Sequence, residues 1–448
     1  MNSHLPITTY GCIAEHLAHS FSGVIHKKIS DKLSLSSPDL AYDYALQELR
    51  PDEVADFLTR RAFCGINVTI PYKQTVMPYL DELTDTARAI GAVNTIVNRN
   101  GRLIGDNTDF FGMQYLLGTL GLDLTGKKVL IFGTGGTSRT AMAVAKAAGA
   151  SPILKFSRTE REGALSYDAL PLHADADIII NTTPAGMYPR DEGCPLPEGL
   201  TLADFPCLSG VVDAVYHPLR TELVMQALER GVPAVGGLAM LVAQAAAATE
   251  RFLDCHIDAS IVSEVIAEVQ ASKENVVLIG MPGCGKTTVG RLLADCLDRP
   301  LLDTDEAIVR RVGAIPEYIL THGEAAFRAL ESEVICEEIA PESGVIIATG
   351  GGAVLRDDNV RRLKRNGRLV FLDRPLSALA VTPDRPLSAS PDALRRRFEE
   401  RYGRYLAVAD VRVEVMQGET AEQTEGRVVR ELFEKRPLTI PQKLSKKE

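Results

Sequence analysis

The stretch NVVLIGMPGCGKTTVGRLLA, residues 275–294, decides how this chain divides. Val276, Val277, Leu278 and Ile279 form a short apolar run typical of a buried strand, and the residues after Lys286 follow a helical period. Between them Gly280, Gly285, Lys286 and Thr287 fill every fixed position of G-x-x-x-x-G-K-[ST], the P-loop pattern. The chemistry explains the spacing. Around Gly283, Cys284 and Gly285 the backbone N–H groups can curl about an anion, and the helix that carries Thr287 and Thr288 adds its N-terminal partial charge. Lys286 reaches the outer phosphates and the Thr287 hydroxyl is placed for Mg2+. A glycine-rich turn before a helix is the simpler alternative, and a strand on one side with a helix on the other argues against it. A second, phosphate-binding α/β unit is therefore predicted from about residue 275.

The length of 448 residues suits about three domains of ~150 residues. With 45% hydrophobic and 24% charged residues the composition is globular, and a net charge of −10 without a basic, aromatic-studded cluster argues against a nucleic-acid partner. Eight cysteines, at positions 12, 64, 194, 207, 255, 284, 296 and 336, form no C-x-x-C pair and no zinc spacing, which predicts reduced thiols and a cytoplasmic setting. The N-terminus lacks the basic start and apolar core of a signal peptide. The most apolar window, residues 232–248, is broken by Pro233 and Gln244 and is shorter than the ~20 residues of a membrane span. Small-molecule partners are expected, no membrane role, and the oligomeric state is left open.

Residues 1–108 read as an α/β domain. A strand-like ITTYGCIA precedes a loop and helix, with Ser20 and Ser22 flanking Phe21; from this fragment alone simple helix capping is the favoured role. The β-branched run Ile66 to Ile70 ends at Pro71, and Lys73 falls just beyond, where α/β folds place functional groups. Asn94 follows in AVNTIV and Asp109 in GDNTDFFG. The ordered set S-x-S, N-V-T-x-P-x-K, G-A-V-N-T and N-T-D resembles the shikimate dehydrogenase family, and the resemblance continues to about residue 270. It implies that Ser20 and Ser22 hold a substrate carboxylate, that Thr69, Asn94 and Gln244 bind ring hydroxyls, and that Lys73 and Asp109 are the catalytic pair. Reducing a ring ketone develops alkoxide character, so a positioned cation able to give up a proton suits the task.

Residues 109–236 read as a Rossmann-like dinucleotide domain. The strand Val129 to Phe132 leads through Gly133, Thr134, Gly135, Gly136 and Thr137 into an Ala-rich helix, although Ser138 stands where the fingerprint has its third Gly or Ala. At the end of the next strand no acidic residue awaits a ribose 2′-OH. Ser157, Arg158 and Arg161 stand there instead, which predicts NADP. The family resemblance further points to Met187, Ala214 and Gly237 beside the cofactor, and to Tyr216 and Gln244 beside the substrate. The resemblance also implies that helices over residues 237–270 return to the first domain, and QASKEN, residues 270–275, reads as a helical continuation or brief spacer.

Beyond the P-loop, D-T-D, G-E-x-x-F-R, G-G-G-A, D-R-P-L and R-x-x-x-Y follow in order and resemble the shikimate kinase family over residues 275–435. This resemblance implies ATP with Mg2+, Asp303 in the metal shell with Thr287, and Asp305 as base on a substrate hydroxyl. It also implies that Arg328 and Arg401 clamp the substrate carboxylate with the Gly351 backbone, and that Arg385 sits on a lid over ATP. The lid segment DRPLSALAVTPD carries only Arg374 besides Arg385. The basic tail 436–448 is expected to be disordered.

The two resemblances converge, because the product of the first reaction is the substrate of the second. They imply reduction of 3-dehydroshikimate with NADPH followed by phosphorylation of shikimate. Two alternatives are a quinate/shikimate dehydrogenase fused to a kinase, and a non-catalytic quinate or shikimate sensor. The serine pair and Arg158 count against the first, and the complete set of reactive groups counts against the second. If Arg158 reads the 2′-phosphate, Arg158→Ala is expected to weaken NADPH binding by about 1.5–3 kcal/mol, the range for charged hydrogen bonds, and NADH binding little. Titration with both cofactors checks this, and equal losses would remove the assignment.

Overall fold

Three runs that read as continuously apolar, Val129–Phe132, Ile178–Asn181 and Asn275–Ile279, are strands with every residue buried. Strands covered on both faces belong to parallel sheets flanked by helices. The computed structural model describes residues 10–17, 20–159, 161, 163–188, 193–379 and 390–434. The chain separates into two compact units. One comprises the described residues up to Tyr216 with Thr221–Val269, and the other His217–Arg220 with the described residues from Gln270 onward.

The first unit opens with β1 (Tyr10–Ala14), α1 (Ser22–Ser36), β2 (Tyr44–Glu48), α2 (Val54–Arg60) and β3 (Gly65–Val68), then β4 (Glu82–Leu83), α3 (Asp85–Ile90), β5 (Thr95–Arg99) and β6 (Arg102–Asp106). Their sheet has the order β2-β1-β3-β5-β6-β4, with β1 parallel to both neighbours and β5 antiparallel to β3 and β6. Ile13, Leu58, Ile66, Val76, Val93 and Ile96 share one buried cluster. The β-branched run leaves the sheet early: β3 stops at Val68 and Ile70 is 77% exposed. Pro71 has no N–H to offer a ladder, so the chain turns here.

A second sheet follows α4 (Asp109–Thr119). It contains β7 (Val129–Phe132), α5 (Gly136–Ala147), β8 (Ile153–Ser157), β9 (Leu165–Ser166), β10 (Ile178–Asn181), β11 (Gly210–Asp213), α6 (Glu222–Glu229) and β12 (Ala234–Val235). All its pairs are parallel, in the order β12-β11-β10-β7-β8-β9. The chain therefore winds outward in both directions from β7, which makes the C-terminal end of β7 the switch point where dinucleotides bind. The period-two alternation is visible in β7 itself: Val129 and Ile131 enter one core cluster, Leu130 and Phe132 the other.

α7 (Leu238–Leu253) packs along α4, and α8 (Ala259–Lys273) is tied to α1 by Lys28–Glu268 at 2.9 Å and Lys32–Glu264 at 2.7 Å. Residues 270–273 are the last turn of α8, so the polar link is helical almost to β13. The second unit then runs β13 (Asn275–Ile279), α9 (Lys286–Leu297), β14 (Leu301–Asp303), α10 (Thr304–Val312), α11 (Ile315–Val334), β15 (Ile346–Ala348), α12 (Asp357–Asn366), β16 (Gly367–Asp373), α13 (Pro391–Val408), β17 (Val411–Glu414) and α14 (Ala421–Val429). Its sheet is parallel, in the order β14-β15-β13-β16-β17. The P-loop leaves β13 at the centre of that sheet.

The α4–α7 contact depends on Gly112, where an added Cβ would stand 2.5 Å from the Met240 carbonyl oxygen. Valine gains helix propensity over glycine, but by less than about 1 kcal/mol; forcing two backbones apart costs about 1–3 kcal/mol. The clash wins. Gly112→Val is expected to destabilise the first unit by about 2 kcal/mol and to raise hydrogen exchange in α4 and α7, leaving the second unit's exchange unchanged; an unaltered urea midpoint would contradict this.

Candidate active sites

In the first unit the turn after β3 is pinned by Tyr72, whose buried hydroxyl donates to the Leu49 carbonyl at 2.6 Å. That anchor sets the position of Lys73. Its Nζ donates to Asp109 Oδ2 at 2.6 Å, and Asp109 is the first residue of α4. The other carboxylate oxygen, Oδ1, accepts from Asn94 Nδ2 at 2.9 Å, which also stands 3.5 Å from Gln244 Oε1 on α7. Asn94 is itself oriented by the Thr108 N–H, which donates to its Oδ1 at 2.7 Å. The Lys73 and Asp109 side chains are 26% and 15% exposed, so the pair is shielded more than a surface ion pair yet open to a ligand. Four residues distant in sequence thus meet in one network.

Ser22 is the first residue of α1, and its N–H donates to Ser20 Oγ at 3.3 Å. The N-cap residue is Phe21, which makes no side-chain cap, and the Ser20 hydroxyl takes up one of the free N–H groups at the helix start in its place. The Phe21 ring lies 5.3 Å from the ring of Tyr216, whose phenol is pushed up by burial. Thr69 begins the Lys73 turn, its carbonyl accepting from the Tyr72 N–H at 2.9 Å.

At the switch point Gly133 has φ 107°, and a Cβ there would meet Thr182 Oγ1 at 2.7 Å. Gly135 and Gly136 are exposed, and a Cβ on either would meet no atom within 4 Å. The turn through Thr134 and Thr137 therefore leaves an open cradle at the N-terminus of the 12-residue α5, a fit for a pyrophosphate. Ser157 ends β8, with Arg158 and Arg161 exposed beyond it. Gly237 packs on Ala214 so closely that a Cβ would lie 2.2 Å from the Ala214 carbonyl oxygen. Met187 is 41% exposed in the loop after β10. Beneath these loops Asp213 is buried. Its Oδ1 accepts from Asn181 Nδ2 and the Val215 N–H, both at 2.9 Å, and its Oδ2 from Thr221 Oγ1 at 2.6 Å. Burial outweighs these donors and pushes its carboxyl up to about 7.

In the second unit a cavity of about 350 Å³ is lined by Lys286, Thr287, Asp303, Asp305, Arg328 and Arg401, among others. Lys286 is buried with its Nζ on the Gly280 and Met281 carbonyls at 2.9 and 3.1 Å. Thr287 Oγ1 donates to Asp303 Oδ2 at 2.9 Å, and Asp303 Oδ1 caps α10 by accepting from the Asp305 N–H at 2.9 Å. Among the described residues no group of three or more His, Cys, Asp or Glu side chains could hold a metal. A hydroxyl and a carboxylate nevertheless suit Mg2+, which keeps several waters and takes phosphate oxygens. Gly283 (φ 83°), Cys284, Gly285 (φ 100°) and Thr288 complete the loop and helix start.

The three consecutive glycines have a steric reason. A Cβ on Gly350 would stand 2.6 Å from Glu331 Oε1 and 2.8 Å from Asp305 Oδ1, and one on Gly352 would stand 2.2 Å from Arg328 Nη1. Gly351 offers its carbonyl to Arg401 Nη1 at 3.1 Å and to the Tyr405 hydroxyl. Arg328 Nη1 donates to Glu331 Oε2 at 2.7 Å. Burial raises the Glu331 carboxyl above its usual range. For Arg328 burial opposes the charge, and Glu331 and Glu324 more than offset it. Arg385 lies outside the described residues.

A shikimate dehydrogenase (NADP(+)) of Halothermothrix orenii is 37% identical over 262 residues, covering 53% of this chain and 87% of its own length. One from Symbiobacterium thermophilum is 34% identical over 260 residues, covering 54% and 87%. The chain belongs to the shikimate dehydrogenase family. The family profile for the shikimate dehydrogenase substrate-binding domain matches residues 12–96. A crystal structure of a chorismate mutase/shikimate 5-dehydrogenase fusion from Clostridium acetobutylicum covers 59% of this chain and 98% of its own, with a TM-score of 0.54 and 34% identity. The shikimate kinase profile matches residues 282–435, so a kinase half follows the dehydrogenase half.

Three functional positions escaped the sequence reading. Asn67, buried, donates to the Asn94 carbonyl at 3.2 Å and accepts from Tyr44 at 2.6 Å, holding the backbone of Asn94 just before β5. The N of N-V-T was its signal. Glu331 sits three residues after Arg328 on α11, a spacing that reads equally well as a surface ion pair. Asp213, the last residue of β11, carried no motif to single it out.

Asp213 yields a signed pH expectation. Its folded pKa, about 7, lies above the ordinary 3.8, so the protonated carboxyl is the form the fold favours. Its contribution to stability is complete below about pH 3.8 and is lost as pH rises through about 7. Asp213→Asn, which keeps an acceptor for Asn181 and Val215, is expected to shrink the difference between urea midpoints of the dehydrogenase half at pH 5 and pH 8. An unchanged difference would assign that pH dependence elsewhere.

Proposed function

We propose that this chain reduces 3-dehydroshikimate to shikimate with NADPH in its first unit and phosphorylates shikimate with ATP in its second. The observation that carries the reading is that the reactive groups expected for each half meet. Lys73 is on Asp109 at 2.6 Å, and Lys286, Asp303, Asp305, Arg328 and Arg401 share one cavity. Family membership and the kinase profile support both activities. Nothing favours a quinate-specific or ligand-sensing role.

In the dehydrogenase half NADPH supplies the hydride. Negative charge then develops on the ketone oxygen, and the Lys73 ammonium is placed to stabilise it and hand over a proton. Asp109 holds Lys73, and Asn94 holds Asp109. Ser20, Ser22, Thr69, Tyr216 and Gln244 are assigned to the substrate; Gly133 to Thr137, Ser157, Arg158, Arg161, Met187, Ala214 and Gly237 are assigned to NADP. In the kinase half ATP with Mg2+ supplies the phosphoryl group. Asp305 accepts the proton of the attacking hydroxyl, while Arg328, Arg401 and the Gly351 backbone hold the carboxylate. Lys286 must exchange its two loop carbonyls for phosphate oxygens. Such positioning and charge neutralisation is most of what phosphoryl transfer requires.

We assign substrate binding to residues 1–108 with 237–270, NADP to 109–236, the link to 270–275 and the kinase to 275–435; the tail 436–448 lies outside the described residues. A cytoplasmic setting is supported by eight free cysteines. No helix among the described residues is long and apolar enough to cross a membrane.

Two assays on the intact chain test the reading: NADP+ reduction by shikimate without ATP, and ADP release with shikimate and ATP but no NADP+. Both are expected to be active. Lys73→Ala is expected to lower kcat of the first by about 10² to 10⁴, the range for general acid–base catalysis, and to spare the second. Lys286→Ala is expected to silence the second and spare the first. Silence in both with shikimate still bound would favour a sensor.

A further inference from the structure

The R-x-x-x-Y motif supplies Arg401, but α13 carries another arginine one turn earlier. Arg397 and Arg401 stand four residues apart, on one face of the helix. Arg397 lines the same cavity as Arg401, Arg328 and Glu331, and its side chain is only 17% exposed. Its Nη1 lies 3.9 Å from Glu324 Oε1, the atom that also accepts from Arg328 Nη2 at 3.3 Å. One carboxylate thus stands between two guanidiniums. The charges about this wall are Arg328, Arg397 and Arg401 with Glu324, Glu331, Glu400 and Asp305. Burial above all, with Arg401 and Arg328 adding to it, pushes the Arg397 guanidinium down, and Glu324 and Glu400 only partly oppose this. An arginine stays protonated under any such pressure. Helices disfavour like charges at this spacing, so Arg397 and Arg401 on one cavity wall make a cationic face that suits an anionic ligand.

We propose that Arg397 is a third anion-binding guanidinium of the kinase pocket, drawing in and holding the substrate carboxylate beside Arg328 and Arg401. The inference rests on the kinase reading given above and adds a residue outside its motifs. The carboxylate is the favoured anion because Arg397 shares its wall and its counter-ion Glu324 with Arg328, whereas the phosphates are the concern of Lys286 and the P-loop. Charged walls of this kind act mainly on capture of the ligand.

The test is steady-state kinase kinetics of the intact chain without NADP+, comparing wild type, Arg397→Leu and Arg397→Lys at two salt concentrations, with thermal unfolding of each. Arg397→Leu is expected to raise the KM for shikimate about tenfold while kcat changes far less, the pattern of lost ground-state binding. The KM for ATP should hold, and kcat/KM for shikimate should become less sensitive to salt. Arg397→Lys should restore most of the affinity. An unchanged shikimate KM, a rise in the ATP KM instead, or a fall in kcat accompanied by lower thermal stability would overturn the proposal. If Arg397→Leu does not fold, Arg397→Gln carries the same expectations. A wild-type chain unable to phosphorylate shikimate would remove the kinase reading itself; a normal wild type beside an unaltered Arg397→Leu would remove only this inference.

Discussion

Parallel strands packed between helices cannot present functional groups from their faces, because those faces are core. The only places left are the ends where the chain leaves the sheet. Both units obey this constraint. In the first, Gly133 follows β7, Ser157 ends β8 and Ala214 follows β11, so the residues proposed for the cofactor gather along one edge of the sheet. In the second, the P-loop follows β13, Asp303 ends β14 and Gly350–Gly352 follow β15. The candidate sites therefore gather at the ends of buried strands, where loop residues are joined by helix residues such as Asp109 on α4, Gln244 on α7 and Arg328 on α11.

Within that frame, charge is handled differently in the two halves. Lys73 and Asp109 form a single partly shielded pair, with Asp109 held by the Asn94 amide and Asn94 by the Thr108 N–H. The kinase pocket instead concentrates several charges of both signs, with Glu331 almost fully buried against Arg328 and Arg401 fixed on a carbonyl. A hydride acceptor that becomes an alkoxide needs one proton donor in the right place. A phosphoryl donor and a carboxylate-bearing acceptor need a field that tolerates several negative charges at once. In a chain of net charge −10 the kinase pocket nevertheless brings Lys286, Arg328, Arg397 and Arg401 together.

Close approach is the third element. Gly112, Gly237, Gly350 and Gly352 stand where any side chain would collide with a carbonyl, a carboxylate or a guanidinium. Their role is to let two segments touch. Gly135 and Gly136 do the opposite, keeping space clear at a helix N-terminus for a ligand.

The strands, the P-loop, the dinucleotide turn and the ordered motifs were legible in the chain because each is local: a run of apolar residues, a glycine spacing, a lysine at a set distance. Lys286 was placed by its local spacing, and Lys73, Asp109 and Arg328 by ordered motifs whose family resemblance also implied their partners. Contacts that join distant segments left no local mark. Asn67 under Asn94, Gln244 reaching Asn94 from α7, and Glu331 facing Gly350 became visible only with the fold. So did the early end of β3, where burial and a missing N–H overrode β-propensity. Local spacing is encoded by the covalent chain, and it determined which elements form and which chemistry each loop can carry. Distance between segments arises from packing, and only the tertiary structure decided which of those groups share a pocket, how far each is shielded, and which buried neighbours set its charge.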